Sequence, residues 1–416
     1  MYNDNMKLGF DIGTTTISCV VLEENKVIDS KTIINDTFID ETKTQDVNRI
    51  IEKSLCLIHE FLSKYSIESI GLTGQMHGIL YLDDYGKSVS PLYTWQDQSS
   101  SNIIVEINQY TKYQVFSGYG LATHIHHIQS NLVPLNAKSI CTIMDYFGMV
   151  LTNRSKPLLH TSNAASLGFF DIEKNEFEKE GLKKLNVELD ILPQVTNNIE
   201  QLGTYQKIPV YVAIGDNQAS FLGAVGNHTN TVLVNMGTGG QVSILTNNFV
   251  QIEGIEIRPF INNQYLLVGA SLCGGQAYAL LEKFFREYVK EATGIEMSQY
   301  DVMERLANKC NSNSLNIQTT LNGTRMNPNQ TGSILNITDE NILPGFKING
   351  FMVGMIEELF EMYQMMNIQA TIVMASGNGF RKNKTLQKIC EEKFQLPLKL
   401  ANEIEEAACG AAMSVE

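Results

Sequence analysis

Asp11 closes an apolar run, and Ile12-Gly13-Thr14-Thr15 carries the chain through a polar glycine turn into a second apolar run from Ile17 to Leu22. The same shape returns at Val232-Leu233-Val234-Asn235-Met236-Gly237-Thr238-Gly239-Gly240, followed by Val242 to Leu245. Each reads as strand, tight turn and returning strand. Glycine lets backbone N–H groups approach an anion, and threonine hydroxyls add donors. Gly13, Thr14 and Thr15 in one turn, with Gly237 and Thr238 in the other, suit a polyphosphate held between them. A carboxylate as near as Asp11 would repel that polyphosphate unless a cation intervened. Mg²⁺ takes one or two carboxylates together with phosphate oxygens. A turn-capping aspartate is the plainer reading of Asp11 alone, and the second hairpin is what favours the metal.

Asp216 lies in Ala213-Ile214-Gly215-Asp216-Asn217-Gln218-Ala219, where a buried strand gives way to a helix rich in small residues. A carboxylate there is a common helix cap. It is equally placed to act as the general base of a phosphoryl transfer, and both roles are compatible. Asn217 and Gln218 offer amides to a polyol. Gly74-Gln75-Met76-His77-Gly78 follows another strand, and its flanking glycines predict that Gln75 and His77 project into open space. Trp95, the only tryptophan, stands two residues before Asp97. Core packing explains Trp95 alone, but the set of aromatic face, carboxylate and amides suits a sugar. Ala375-Ser376-Gly377-Asn378-Gly379 is a strand, glycine turn and helix start suited to adenosine, and Gly274-Gly275-Gln276 opens a further helix that lines the same pocket. His124, His126 and His127 have no carboxylate at ligand spacing and read as loop or sheet histidines rather than a metal site.

These groups need a framework to hold them. Met6 to Ile34 reads as a three-strand meander, Asn48 to Ser63 as an amphipathic helix, Ser69 to Gly74 as a strand, and Phe169 to Gly181 as a turn leading to a helix. Later helices are expected over Gly274–Ala292, Gln299–Lys309, Gly350–Met366 and Thr385–Phe394, with polar loops from Asn311 to Leu343 and little helix at the end of the chain. The alternation predicts α/β layers. A hairpin-first order in both halves predicts a duplicated domain with a cleft between copies, divided into residues 1–205 and 206–416. At 416 residues two or three domains are expected. A net charge of −14 argues against a general nucleic-acid or anionic-membrane binder. No apolar run is long enough for a bilayer span. Seven scattered cysteines without a CxxC pair, together with a polar start, fit a reduced cytoplasmic protein.

The order of these motifs resembles the FGGY carbohydrate kinases along essentially the whole chain: Asp11 to Thr15, Gln75 to Gly78, Trp95 to Asp97, Gly215 to Ser220, Asn235 to Gly240, Ser376 to Gly379 and Glu405 to Ala412. The resemblance implies two ribonuclease-H-like domains of the actin/Hsp70/hexokinase superfamily with a catalytic cleft. It implies Mg²⁺-ATP as donor and a ketose as acceptor, sedoheptulose first and xylulose or another pentulose second. On that basis Asp216 is the base, and Asp11 helps hold the metal. Gly13, Thr14, Thr15, Gly237, Thr238, Gly274, Gly275, Gly377, Asn378 and Asn383 face the nucleotide. Gln75, Met76, His77, Trp95, Asp97 and Asn217 face the sugar. The family usually has serine where Gly239 or Gly240 stands, and often arginine where this chain has Ser99. An actin- or Hsp70-like ATPase without a sugar acceptor shares the hairpins but has no use for the Gln75 and Trp95 segments. Neither nucleic acid nor membrane is an expected partner; a homodimer is left open.

Overall fold

The computed structural model describes residues 6–39, 43–226, 228, 230–310, 314–324, 326–327, 329–402 and 405–415. Apolar side chains at Leu8, Phe10, Ile12 and Ile17 are fully buried. They drive an antiparallel meander of Met6–Ile12, Thr16–Glu23 and Lys26–Ile34. Strand Ile67–Gly74 lies parallel to Met6–Ile12, and Ile208–Tyr211 and Ile214–Gly215 lie parallel to its other side. Val47–Lys64 is the expected amphipathic helix; Asp46 caps it by accepting from the Arg49 N–H. A second sheet repeats this order: an antiparallel set of Thr231–Met236, Gly240–Thr246 and Tyr265–Ser271, then Ile372–Ser376 and Leu398–Leu400 parallel to the first of these. Both sheets therefore follow one topology, with a hairpin turn after the first strand.

The chain forms two compact units. One holds everything up to Gly226, together with Arg258–Gln264 and the C-terminal segment; the other holds the chain from there to Ile257 and Tyr265–Asn402. The division expected at residue 206 is thus displaced. Ile208–Tyr211 and Ile214–Gly215 complete the first sheet through Ile70, Thr73 and Gly74, so Asp216 belongs to the N-terminal unit. Two smaller expectations also change. Phe170–Asp171 and Glu176–Phe177 form a hairpin before the helix Lys179–Lys184. The end of the chain is a buried helix, Glu406–Met413, not a remnant.

That last helix is seated on glycines. A Cβ on Gly9 would lie 1.8 Å from the Ala408 carbonyl oxygen, on Gly71 1.9 Å from that of Ala411, and on Gly223 1.9 Å from that of Glu406. Gly410 returns the contact, 1.8 Å from the Ala219 carbonyl oxygen. Only hydrogen at these positions lets the helix lie against the sheet and against helix Asp216–Val225. Gly9→Ala is expected to cost about 3 kcal/mol or more of unfolding free energy, at or beyond the usual range for overpacking; urea denaturation measures it, and near-wild-type stability would contradict the packing described.

The histidine cluster lies on a helix, Gly120–Gln129, rather than on a loop or sheet. His124 and His127 both turn Nδ1 to the Tyr81 hydroxyl, at 2.8 and 2.9 Å. Burial lowers both to about 4, and burial lowers His160 to about 4 as well. In the unfolded chain such rings titrate near 6.5. Between those values the unfolded chain binds more protons, so these rings favour folding above about pH 6.5 and that contribution is lost as pH falls towards 4. His160 caps the helix Thr161–Ser166 by accepting from the Ser162 N–H. His160→Asn retains a cap and removes one titrating group; the loss of stability between pH 6.5 and 4.5 should shrink, by up to about 1.4 kcal/mol per pH unit. An unchanged slope in a urea series would rule out this source.

Candidate active site

Asp11 and Asp216 leave strands that flank one central strand at the same end. Asp11 is in register with Thr73, and Ile214 pairs with Thr73 from the other side. Both residues are half-buried, and Asp11 Oδ1 is shut off from water. Burial first, then the negative charges of Asp216 and Glu405, push Asp11 up to about 8. Burial pushes Asp216 to about 6, against the pull of Arg258 and of the Asn217 backbone N–H. Burial thus raises both carboxyls above the usual carboxylate range, Asp11 further than Asp216 because Arg258 pulls Asp216 back. Asp216 is the first helical residue, and the cap position belongs to Gly215. The carboxylate does not fill the cap position, though it accepts from the first-turn N–H of Asn217.

The approach to Asp216 is held by buried side chains. Asn163 Nδ2 donates to the Ala213 carbonyl at 3.0 Å, Thr73 Oγ1 donates to the Ile214 carbonyl at 2.8 Å, and the Gly215 N–H donates to Ser162 Oγ at 3.0 Å. Three consecutive residues are fixed before the chain turns into the helix. Gln218 Nε2 donates to the Pro259 carbonyl, which ties the helix to the segment carrying Arg258. Arg258 was not anticipated. Its one sequence signal is a lone cation inside the apolar stretch Ile255-Glu256-Ile257-Arg258-Pro259-Phe260.

The first hairpin turn is held from behind. The Gly13 carbonyl accepts from Asn35 Nδ2 at 2.8 Å, the Thr14 carbonyl from Gln45 Nε2 at 2.9 Å, and the Thr15 carbonyl from the Asn35 N–H at 2.8 Å. Asn35 and Gln45 are buried. No peptide bond among the described residues is cis. In a planar trans peptide the carbonyl of one residue opposes the N–H of the next. Carbonyls drawn inward at Gly13 and Thr14 therefore aim the Thr14 and Thr15 amides outward, the orientation an anion needs.

The residues expected to face a sugar divide. Gln75 does not project into open space: it is 2 % exposed, its Oε1 accepts from Thr14 Oγ1 and its Nε2 donates to Gln45 Oε1. Met76 is buried against Gly215, where a Cβ would lie 2.7 Å from its sulfur. His77 occupies a left-handed backbone conformation, φ 73°, uncommon without a constraint. Its Nδ1 lies 2.8 Å from the Ser166 carbonyl. A carbonyl only accepts, so Nδ1 bears hydrogen and Nε2 is the lone-pair nitrogen of the neutral ring. The ring stacks on Tyr119 at 4.4 Å. Trp95 is 46 % exposed, which removes it from the core, and its indole N–H donates to Thr14 Oγ1. Both Asp97 oxygens accept from Ser99, one from its N–H and one from its hydroxyl, each at 2.9 Å. Asn217 keeps a buried Oδ1 with no partner.

In the second unit, a cavity of about 810 Å³ is lined by Thr238, Gly275, Tyr278, Tyr300, Gly377 and Asn378 among others. Glycine is obligatory around the Met236 turn. Gly274 would place a Cβ 2.2 Å from the Gly239 carbonyl carbon, Gly275 2.2 Å from the Gly237 carbonyl oxygen, and Gly377, at φ 88°, 2.6 Å from the Met236 carbonyl oxygen. The long helix Gly274–Thr293 thus begins against the turn, with its N-terminal amides beside it. Tyr278 and Tyr300 stack at 5.9 Å on one wall. Asn383 also lines the cavity, but its amide is engaged within the protein. Its Oδ1 caps helix Lys384–Phe394 through the Leu386 N–H, and its Nδ2 contacts the Met352 sulfur.

Two repeated sheets, each with a glycine-threonine hairpin turn, and a carboxylate pair at the end of a parallel ladder define the duplicated α/β fold of ATP-using phosphotransferases. A crystal structure of xylulose kinase from Rhodospirillum rubrum matches it with a TM-score of 0.85 over 99 % of this chain and 89 % of that one, at 17 % identity. The family model for the N-terminal domain of the FGGY family of carbohydrate kinases matches residues 6–223, and the chain belongs to that family. It is a carbohydrate kinase, with a sugar and ATP as substrates. Among curated relatives, sedoheptulokinase of Mus musculus is 26 % identical over 98 % of this chain and 96 % of its own length. Sedoheptulokinase of Homo sapiens is 27 % identical over 89 % and 86 %. No helix among the described residues is long and apolar enough to cross a membrane.

Gly377→Ala is expected to weaken nucleotide binding by roughly tenfold or more, because the strained, crowded turn must shift. Calorimetric titration with ADP checks it; wild-type affinity would place the nucleotide elsewhere.

Proposed function

We propose that this kinase transfers the γ-phosphoryl group of ATP to a ketose, sedoheptulose before others, with Asp216 as general base. One observation carries the role: a half-buried carboxylate at a helix start, outside the cap position and beside the Arg258 guanidinium, which opposes the rise in its pKa. The likeness to sedoheptulokinases over nearly the full chain supports the sugar. In this reading a sugar hydroxyl donates its proton to Asp216 as its oxygen bonds to the γ-phosphorus. The bond from that phosphorus to the bridging oxygen breaks, and ADP leaves. The transition state is loose, with charge on the equatorial oxygens, so positioned N–H groups such as those of Thr14 and Thr15 stabilise it. His77 Nε2, the Trp95 face and the Asn217 amide orient the sugar. Asp97, held by Ser99, adds acceptors.

A divalent cation fits the residues. Asp11 Oδ1 is buried without a partner, and its carboxyl meets two further negative charges. Asp11 would hold Mg²⁺, which neutralises phosphate charge when bound. The described cysteines form no disulfide, which supports a reducing, cytoplasmic setting.

A pentulose is the second reading, supported by the resemblance of the motif Gly74-Gln75-Met76-His77-Gly78 to the sugar loop of xylulokinases. Coupled ADP-release assays with sedoheptulose, xylulose, ribulose and glycerol decide between them. Asp216→Ala should retain ATP binding and lose roughly 10²–10⁴-fold in turnover. Near-normal sugar phosphorylation by that variant would remove Asp216 from the role.

A further inference from the structure

We propose that Gln45 is a positioning residue that couples the sugar-facing loops to the first phosphate hairpin, an inference that rests on the kinase reading above. Three side chains form a closed ring. Thr14 Oγ1 donates to Gln75 Oε1 at 3.2 Å, Gln75 Nε2 donates to Gln45 Oε1 at 2.8 Å, and Gln45 Nε2 donates to the Thr14 carbonyl at 2.9 Å. Trp95 Nε1 enters the ring at Thr14 Oγ1, at 2.9 Å.

One backbone carbonyl sets every orientation in this ring. The Thr14 carbonyl can only accept, so Gln45 must present its NH₂ there and its oxygen to Gln75. Gln75 must then turn its own NH₂ to Gln45 and its oxygen to Thr14. The Thr14 hydroxyl has one proton, and it goes to Gln75. What remains on Thr14 Oγ1 is acceptor capacity, which matches the indole N–H, a donor only. Neither amide can flip without setting oxygen against oxygen. Gln45 is 0 % exposed and Gln75 2 %, so water does not substitute for a lost link. The Thr14 hydroxyl, committed to Gln75, has no proton for a phosphate; the turn's amides serve instead.

The ring joins separate segments. Gln45 lies in a short strand paired with Leu92–Tyr93, just before Trp95. Gln75 immediately precedes Met76 and His77. Trp95 is the exposed member. A sugar resting on its face orders the indole, the indole bond orders Thr14, and the outward amides are then already placed for phosphate. Nucleotide binding must favour the sugar by the same factor.

The test is equilibrium binding of a non-hydrolysable ATP analogue with Mg²⁺ to the full chain, with and without the ketose that the wild type phosphorylates best. The wild type should bind the analogue at least about 5-fold more tightly with sugar. Trp95→Phe keeps an aromatic face and loses the N–H; its ratio should fall below about twofold. Gln45→Met should lose the ratio likewise and raise KM for ATP by roughly 10-fold, with KM for the sugar changed less than about threefold. A purely structural role for Gln45 would lower the melting temperature and move both KM values together while the coupling ratio persists, and that result would overturn the proposal. Should Gln45→Met not fold, Trp95→Phe decides alone, and full coupling in it overturns the proposal. A wild type that phosphorylates a sugar but shows no coupling refutes this inference and leaves the kinase reading intact. A wild type inactive on every sugar removes both.

Discussion

Two carboxylates with little access to water at the end of one parallel ladder are the arrangement around which this molecule is organised. Asp11 and Asp216 enter from strands on either side of Ile67–Gly74, so hydrogen-bonded register, not side-chain flexibility, sets their spacing. Burial without compensation would neutralise both. Arg258 opposes that shift at Asp216, while two further carboxylates add to it at Asp11, where the proposed enzyme would place a cation. The side chains that fix Ala213, Ile214 and Gly215 make this difference durable. A base that shares a site with a second acid can work only if the two environments stay unequal.

The same logic of fixing backbone before function runs through both hairpins. In the first, side-chain amides hold the carbonyls back. In the second, glycines let helix Gly274–Thr293 press directly onto the turn. One device uses hydrogen bonds and the other uses missing side chains, yet each leaves the turn exposed to an anion. The usual family serine near Gly239 is absent; a Cβ at Gly239 would meet only the Ser271 carbonyl oxygen, at 3.1 Å, so the close contact with Gly274 accounts for glycine at 274 and leaves Gly239 without a packing reason.

The strands, both hairpin turns and the places of Asp11 and Asp216 at strand ends are legible in the sequence because they depend on local patterns: alternating burial, a glycine turn, a carboxylate where a strand stops. What was misread depends on partners distant in the chain. Gln75 looked exposed between glycines, but Gln45, thirty residues away, takes its amide inward. Asn383 lines the cavity and also caps the helix behind it, and the local pattern does not show the second engagement. Asn35, Gln45 and Arg258 carry no motif; only the fold brings them to the turn and the base. The domain division was misplaced because Gln206-Lys207-Ile208-Pro209 has the composition of a linker, while tertiary pairing makes the following strands part of the first sheet.

The C-terminal helix has a consequence for how the molecule is made. It is part of the first unit, yet the whole second unit intervenes in the chain before it. A ribosome therefore releases the second unit's residues while the groove at Gly9, Gly71 and Gly223 still lacks its occupant. Until Glu406–Met413 emerges, the apolar surface that this helix covers on the first sheet stays open to water. The proposed base follows that same sheet, so activity should appear only after synthesis has delivered this last helix.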